Sequence, residues 1–172
     1  MKHRLILMRH AKSDHADVTL ADHDRVLADR GRRDTPTMAM WLAKHDLIPD
    51  RILSSTSART RETVASMSNV WDEQPEVVYV ESLYLASAET LLWTAREQHA
   101  EARSVMLLAH NPGVSMLASS LAGAMLPMPT AAIAVFTIAS ESGANPLREL
   151  NQQTQVQLEH YVTPKSLAAA PE

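Results

Sequence analysis

Short apolar runs and longer stretches of helical periodicity alternate along the chain. Leu5-Ile6-Leu7-Met8 is the first run, followed by Arg51-Ile52-Leu53, Val77-Val78-Tyr79-Val80 and Val105-Met106-Leu107-Leu108-Ala109. Each is continuous rather than alternating, the pattern of strands covered on both faces. Ala132 to Ile138 and Val156 to Val162 add two strand candidates. The second alternates (Val156, Leu158, His160, Val162), as an edge strand with one wet face does. Between the runs lie helices. Met38, Trp41, Leu42 and His45 fall at i, i+3, i+4 and i+7, and Val64, Met67 and Trp71 keep a similar spacing. Ser87 is placed to N-cap a helix whose inner face carries Leu91, Leu92 and Ala95. Val114, Leu117, Ala118 and Leu121 form the cleanest stripe, stopped by Gly123. Such alternation predicts an α/β fold with helices packed on a mostly parallel central sheet, and ligands collecting at the carboxyl ends of the strands.

At those ends the chain changes character. Arg9 and His10 follow the first run; Ser54, Ser55 and then Arg59 follow the second. Glu81 follows the third, and His110, with Asn111-Pro112-Gly113 behind it, follows the fourth. If the strands are parallel neighbours, two arginines, two histidines and a carboxylate converge on one rim. That set suits a phosphoryl group, whose peripheral oxygens need neutralising while its ends are held in line. Arg9 and Arg59 offer forked donors to those oxygens. The arginines also disfavour protonation of His10, which leaves it a ring nitrogen for attack. His110 can donate to a phosphoryl oxygen. Glu81, if protonated, can supply the leaving group's proton and then activate water. Each group alone has a plainer reading: a solvated histidine, an arginine on an exposed helical turn, a loop glutamate, an Asn-Pro-Gly turn. Coincidence at every strand end is the poorer account.

Composition narrows the setting. The 172 residues suffice for a single domain, 1–172, with about 166–172 expected as a flexible tail. A net charge of -4 argues against nucleic acid as a partner, so any positive potential must be local. With no cysteine there are no disulfides and no thiolate chemistry. Leu5 to Met8 is too short for a signal-peptide core or a membrane span, so a cytoplasmic protein with no membrane partner is expected. Asp22-His23-Asp24 lacks the spacing of a zinc site, and neither a metal nor another cofactor is expected. His3, His15, His23, His45, His99 and His160 are read as solvated or packed, with His15 and His23 close enough behind His10 to reach its pocket.

These blocks resemble the histidine phosphatase (phosphoglycerate-mutase-like) superfamily. Leu7 to Ser13 is similar to its signature, and Arg-His-Ala-Lys-Ser to the form of its SixA-type phosphohistidine phosphatase branch. Asp24-Arg25-Val26-Leu27 with Arg30-Gly31, Ser54 to Thr63, and Leu83-Tyr84-Leu85-Ala86-Ser87 resemble further blocks. His110-Asn111-Pro112-Gly113, Pro129-Thr130-Ala131-Ala132 and Pro164-Lys165 continue the series, collinear over about residues 4–165. The resemblance implies a three-layer α/β/α sandwich, no metal, His10 as nucleophile, and Arg9, Arg59 and His110 as the phosphate pocket. Ala11-Lys12 and Ala16 stand where many relatives have Gly-Glu and a phosphate-binding Asn, which points away from the mutase-like branches. For proton transfer the candidate is Glu81, with Asp14 and Asp24 as rivals. The short connections between Val64 and Val77 and between Glu81 and Val105 leave little room for a substrate-enclosing insertion. An open cleft follows, and with it hydrolysis of a protein phosphohistidine or of a small phosphorylated metabolite. A phosphoglycerate-mutase-like transferase and a non-catalytic phospholigand-binding module are the alternatives.

Overall fold

Leu5, Ile6, Leu7 and Met8 have no exposed surface, and they form the middle of β1 (His3–Arg9). Successive side chains on a strand point to opposite faces. Leu5 and Leu7 accordingly join one apolar cluster with Leu107 and Phe136, while Ile6 and Met8 join a second with Met38, Leu42 and Met67. A strand buried on both faces belongs mid-sheet, with helices above and below. The computed structural model, which describes residues 2–139 and 144–170, shows this arrangement.

The other strands are β2 (Arg51–Ser54), β3 (Glu76–Tyr79), β4 (Ser104–Ala109), β5 (Ile133–Ile138) and β6 (Val156–Val162). They form one sheet of order β3-β2-β4-β1-β5-β6. β1 to β4 are mutually parallel, whereas β5 runs antiparallel to β1, and β6 to β5. The sheet is therefore mixed, with a parallel majority. The second apolar cluster is closed by α1 (Asp29–Lys44) and α2 (Ala58–Ser68), the first by α3 (Ala88–Gln98) and α4 (Gly113–Ala122). Three layers result, as the resemblance implied.

Local details bear out several expectations and correct others. Ser87 caps α3, its Oγ accepting the Thr90 N–H at 3.2 Å. Gly123 ends α4 in the left-handed region at φ +65°. β6 is an edge strand, as its alternation predicts. β3 is the other edge, so its run is half-exposed instead of buried on both faces. Trp71 lies beyond α2 but is still buried, its indole N–H donating to the Ala39 carbonyl at 2.9 Å. Of the expected tail, Ser166 to Ala169 belong to a short helix, α5 (Pro164–Ala169), because Thr163 and Ser166 form a reciprocal capping box. Pro171 and Glu172 lie outside the described residues. Among the described residues, no helix is long and apolar enough to cross a membrane.

The register sets up the site. Arg9 pairs with Ala109 across β1 and β4, and Ser54 with Leu108 across β2 and β4. His10, His110 and Ser55 thus leave three adjacent strands side by side. β3 is three strands from β1, a displacement of roughly 14 Å at normal strand spacing, and Glu81 leaves the sheet there.

Candidate active site

The backbone at Arg9 and His10 is fixed from both neighbouring strands. The His10 N–H donates to the Ala109 carbonyl and the Arg9 N–H to the Ala132 carbonyl, at 3.1 and 3.2 Å. The Ala131 N–H, held in a left-handed turn at φ 61°, reaches the carbonyls of both Arg9 and His10 at 3.1 Å. On the next turn of chain, Thr63 ties α2 to this loop. Its hydroxyl accepts the Ala11 N–H at 3.2 Å and donates to the Arg59 carbonyl at 2.7 Å.

His10 is 6% exposed. Its Nδ1 lies 2.7 Å from the Ala11 carbonyl, an acceptor only, so Nδ1 carries the hydrogen and Nε2 keeps its lone pair. Burial, and then the neighbouring His110, Arg59 and Arg9, push the imidazole pKa down to about 3 against the opposing Ala11 bond. The ring is neutral at any physiological pH. Its centroid is 5.1 Å from that of His110.

Arg59 lies in the first turn of α2 and is 3% exposed. Its Nε–H points at His10 Nε2 and an Nη2–H at His110 Nδ1, each at 3.3 Å. Nη1 donates to the Asp22 carbonyl at 2.6 Å and Nη2 to Asp22 Oδ2 at 3.0 Å. One side of the guanidinium is thus gripped by Asp22 while the other faces both imidazoles. Asp22 is held in turn by the Tyr84 hydroxyl and by Arg25 Nη1 at 2.9 Å, and the Tyr84 bond above all keeps its carboxyl below the usual range. Arg9 donates from Nη1 to the Met128 carbonyl at 3.2 Å, which also accepts Asn111 Nδ2 at 3.0 Å. The Arg9 Nε is buried without a partner among the described residues. Burial and Arg59 lower the Arg9 pKa. His110, its own pKa lowered to about 4 by burial and then by Arg59, bonds through Nε2 to Ser55 Oγ at 2.8 Å.

Arg9, His10, Arg59 and His110 therefore share one cleft of about 300 Å³, with Lys12, Ser13, His15, Asp22 and Arg25 on its walls. Glu81 is not among the lining residues; it is exposed, in a turn beyond the sheet edge. Asp14 and Asp24 do not line the cleft either. Asp14 Oδ1 accepts the Ala16 N–H of its own loop at 2.8 Å, and Asp24 faces His23 at 3.5 Å. The carboxylate in the cleft is Asp22, which sequence reasoning missed; it stands in an irregular segment with no periodicity to place it. Tyr84 was visible only as a member of a block, and Ser55 as a polar residue behind the second apolar run, without a role. His15 lines the cleft, while His23 bonds Thr56 at 2.9 Å and packs edge-on against Tyr84. Among the described residues, no three His, Cys, Asp or Glu side chains are grouped to hold a metal ion.

This arrangement has relatives. Residues 5–84 match the profile of the histidine phosphatase superfamily (branch 1). An uncharacterized protein of Mycobacterium leprae is 33% identical over 149 residues, covering 77% of this chain and 88% of that one. An uncharacterized chloroplastic protein of Arabidopsis thaliana is 35% identical over 136 residues, 74% of this chain and 62% of that one. A crystal structure from Agrobacterium tumefaciens, described as that of the "putative phosphohistidine phosphatase SixA", superposes with a TM-score of 0.79 at 27% identity, over 95% of this chain and 99% of that one. A protein histidine phosphatase SixA complexed with tungstate shares the fold at 18% identity and a TM-score of 0.77, over 95% and 99% of the two chains. The chain belongs to the histidine phosphatase superfamily, in its SixA-type branch.

Proposed function

We propose that this phosphatase removes phosphoryl groups from protein phosphohistidine, through a covalent phosphohistidine on its own His10 and without a metal. The observation that carries the reading is Arg59: two of its N–H donors converge on the lone pair of His10 Nε2 and on His110 Nδ1. A phosphoryl group brought to His10 meets that pair of donors, with the Arg9 guanidinium on the same rim. Nε2 of neutral His10 attacks phosphorus, and the bond to the leaving group breaks. A phosphohistidine whose ring is protonated at its other nitrogen departs as neutral imidazole, so the enzyme need not supply an acid. Water then attacks phosphorus, the P–Nε2 bond breaks, and inorganic phosphate leaves with the imidazole lone pair restored.

The connections around the cleft favour water as acceptor. Only residues 69–75 join α2 to β3, and a single turn and α3 lie between β3 and β4. No inserted segment there encloses a substrate, which favours a phosphoprotein and disfavours a mutase. The cleft volume also admits a small phosphorylated metabolite, and a panel of both substrate classes separates the two. Incubation with a labelled phosphodonor and quenching in base should trap phosphorus on His10. His10→Ala should abolish turnover, and Arg59→Ala should lower kcat by about 10²–10³, as loss of a charged transition-state donor does. Full turnover by His10→Ala, or hydrolysis with no trappable adduct, would end this reading.

A further inference from the structure

Ser55 has no exposed surface and a rigid setting. Its N–H donates to the Leu108 carbonyl at 3.1 Å, and its own carbonyl accepts the hydroxyls of Ser54 and Thr60 at 2.9 and 2.7 Å. Its Oγ also accepts the Ser57 N–H at 3.5 Å, which leaves the hydroxyl hydrogen as the part free to turn. Its oxygen lies 2.8 Å from His110 Nε2, on the far side of the ring from Arg59. An arginine N–H can only donate. His110 Nδ1 therefore accepts from Arg59, Nε2 carries the ring hydrogen, and Ser55 Oγ accepts it.

We infer that Ser55 is a tautomer switch for His110: by turning from acceptor to donor at Nε2, it lets Nδ1 change from accepting the Arg59 N–H to donating to a phosphoryl oxygen. The inference rests on the phosphatase reading above. A phosphoryl oxygen offers lone pairs only, so a bare Nδ1 in front of it is repelled. His110 must present an N–H there, either as an imidazolium or as the other neutral tautomer. The groups facing it are Arg59 from α2, Arg9 and His10 from the end of β1, Asp22 and His23 from the following loop, and Tyr84. Two guanidiniums and burial oppose a second proton, and Asp22 is the one carboxylate among these groups to favour it. The neutral route needs a partner at Nε2 that can reverse its role, and a hydroxyl can both donate and accept. Protons balance: Nδ1 takes one from water, Nε2 releases one to water, and the site's charge is unchanged. Ser55 thus acts through His110 as a positioning residue.

The test is ring ¹⁵N–¹H spectroscopy of the full chain labelled at histidine, titrated at neutral pH with inorganic phosphate and, separately, with tungstate. The expected result is that the His110 hydrogen moves from Nε2 to Nδ1 as the His10 signals shift with occupancy. Ser55→Ala should lose the exchange and about tenfold or more in kcat/KM, as leaving a buried polar group unpaired does; Ser55→Thr should restore both. His110 protonated on both nitrogens, or unchanged while His10 shifts, overturns the switch and leaves the phosphatase reading standing. Exchange that persists in Ser55→Ala also overturns it. If neither ring responds to either anion, the phosphate pocket itself is refuted.

Discussion

Arg59 has five N–H donors, and its surroundings divide them between those that Asp22 holds and those that face the two imidazoles. The side gripped by Asp22 fixes the plane of the guanidinium, and the opposite side is the one the two imidazoles see. Asp22→Asn preserves the shape of that grip but removes its charge. It should lower kcat by about tenfold, less than loss of a donor that meets the phosphoryl group itself. If Asp22 works only through Arg59, the double variant with Arg59→Ala is no slower than Arg59→Ala alone. Additive losses in that cycle would show an independent role. The arginines and histidines were legible because each closely follows an apolar run whose direction the fold fixes. Asp22 was not, since it arrives by the path of a loop, twelve residues after His10, as one of four aspartates (Asp14, Asp17, Asp22 and Asp24) that look alike on paper.

Elements are held around the site by close backbone approach and by hydroxyls. At the start of α4, a Cβ added to Gly113 would lie 1.9 Å from the Ala86 carbonyl oxygen, a position that no side-chain rotation can relieve. The Asn-Pro-Gly segment is therefore more than a turn: it lets α4 lie directly on the chain leading into α3. Gly113→Ala should destabilise by about 1–3 kcal/mol or more, the range for overpacking a closed site, read from denaturant unfolding. A loss under about 0.5 kcal/mol would show that the two segments separate freely. At this scale the apolar runs gave the strands and the caps gave the helix ends, with Ser87 and Gly123 placed correctly. The reversal of β5 was not readable, because a strand covered on both faces has the same composition in either direction. The edge position of β3 was equally hidden, and with it the reason Glu81 leaves the sheet far from His10.

The whole molecule bears the cost of keeping two imidazoles neutral inside it. In the folded chain they titrate at about 3 and about 4, and in the unfolded chain near the ordinary 6.5. Between those values the unfolded state binds protons that the folded state refuses, so stability is full above about pH 6.5 and falls as pH drops through that window. Glu159, held down to about 2 chiefly by Arg4, loses its contribution only at lower pH. The free energy of unfolding, read from denaturant titration, should therefore decline between about pH 6.5 and 4.5 by an amount on the order of a few kcal/mol, and the slope should flatten in His10→Ala and His110→Gln. An unchanged slope in both variants would assign it elsewhere.

The charge on the cleft walls has a consequence for selectivity. Arg9, Lys12, Arg25 and Arg59 face a single carboxylate there, while the chain as a whole carries -4. Counterions confine that attraction to about 8 Å at physiological ionic strength. An isolated phosphoryl group inside the notch would therefore sit in a well of opposite sign, although the chain as a whole is acidic. The pull on an anion is thus a property of the notch, felt at contact range and set apart from the sign of the molecule as a whole.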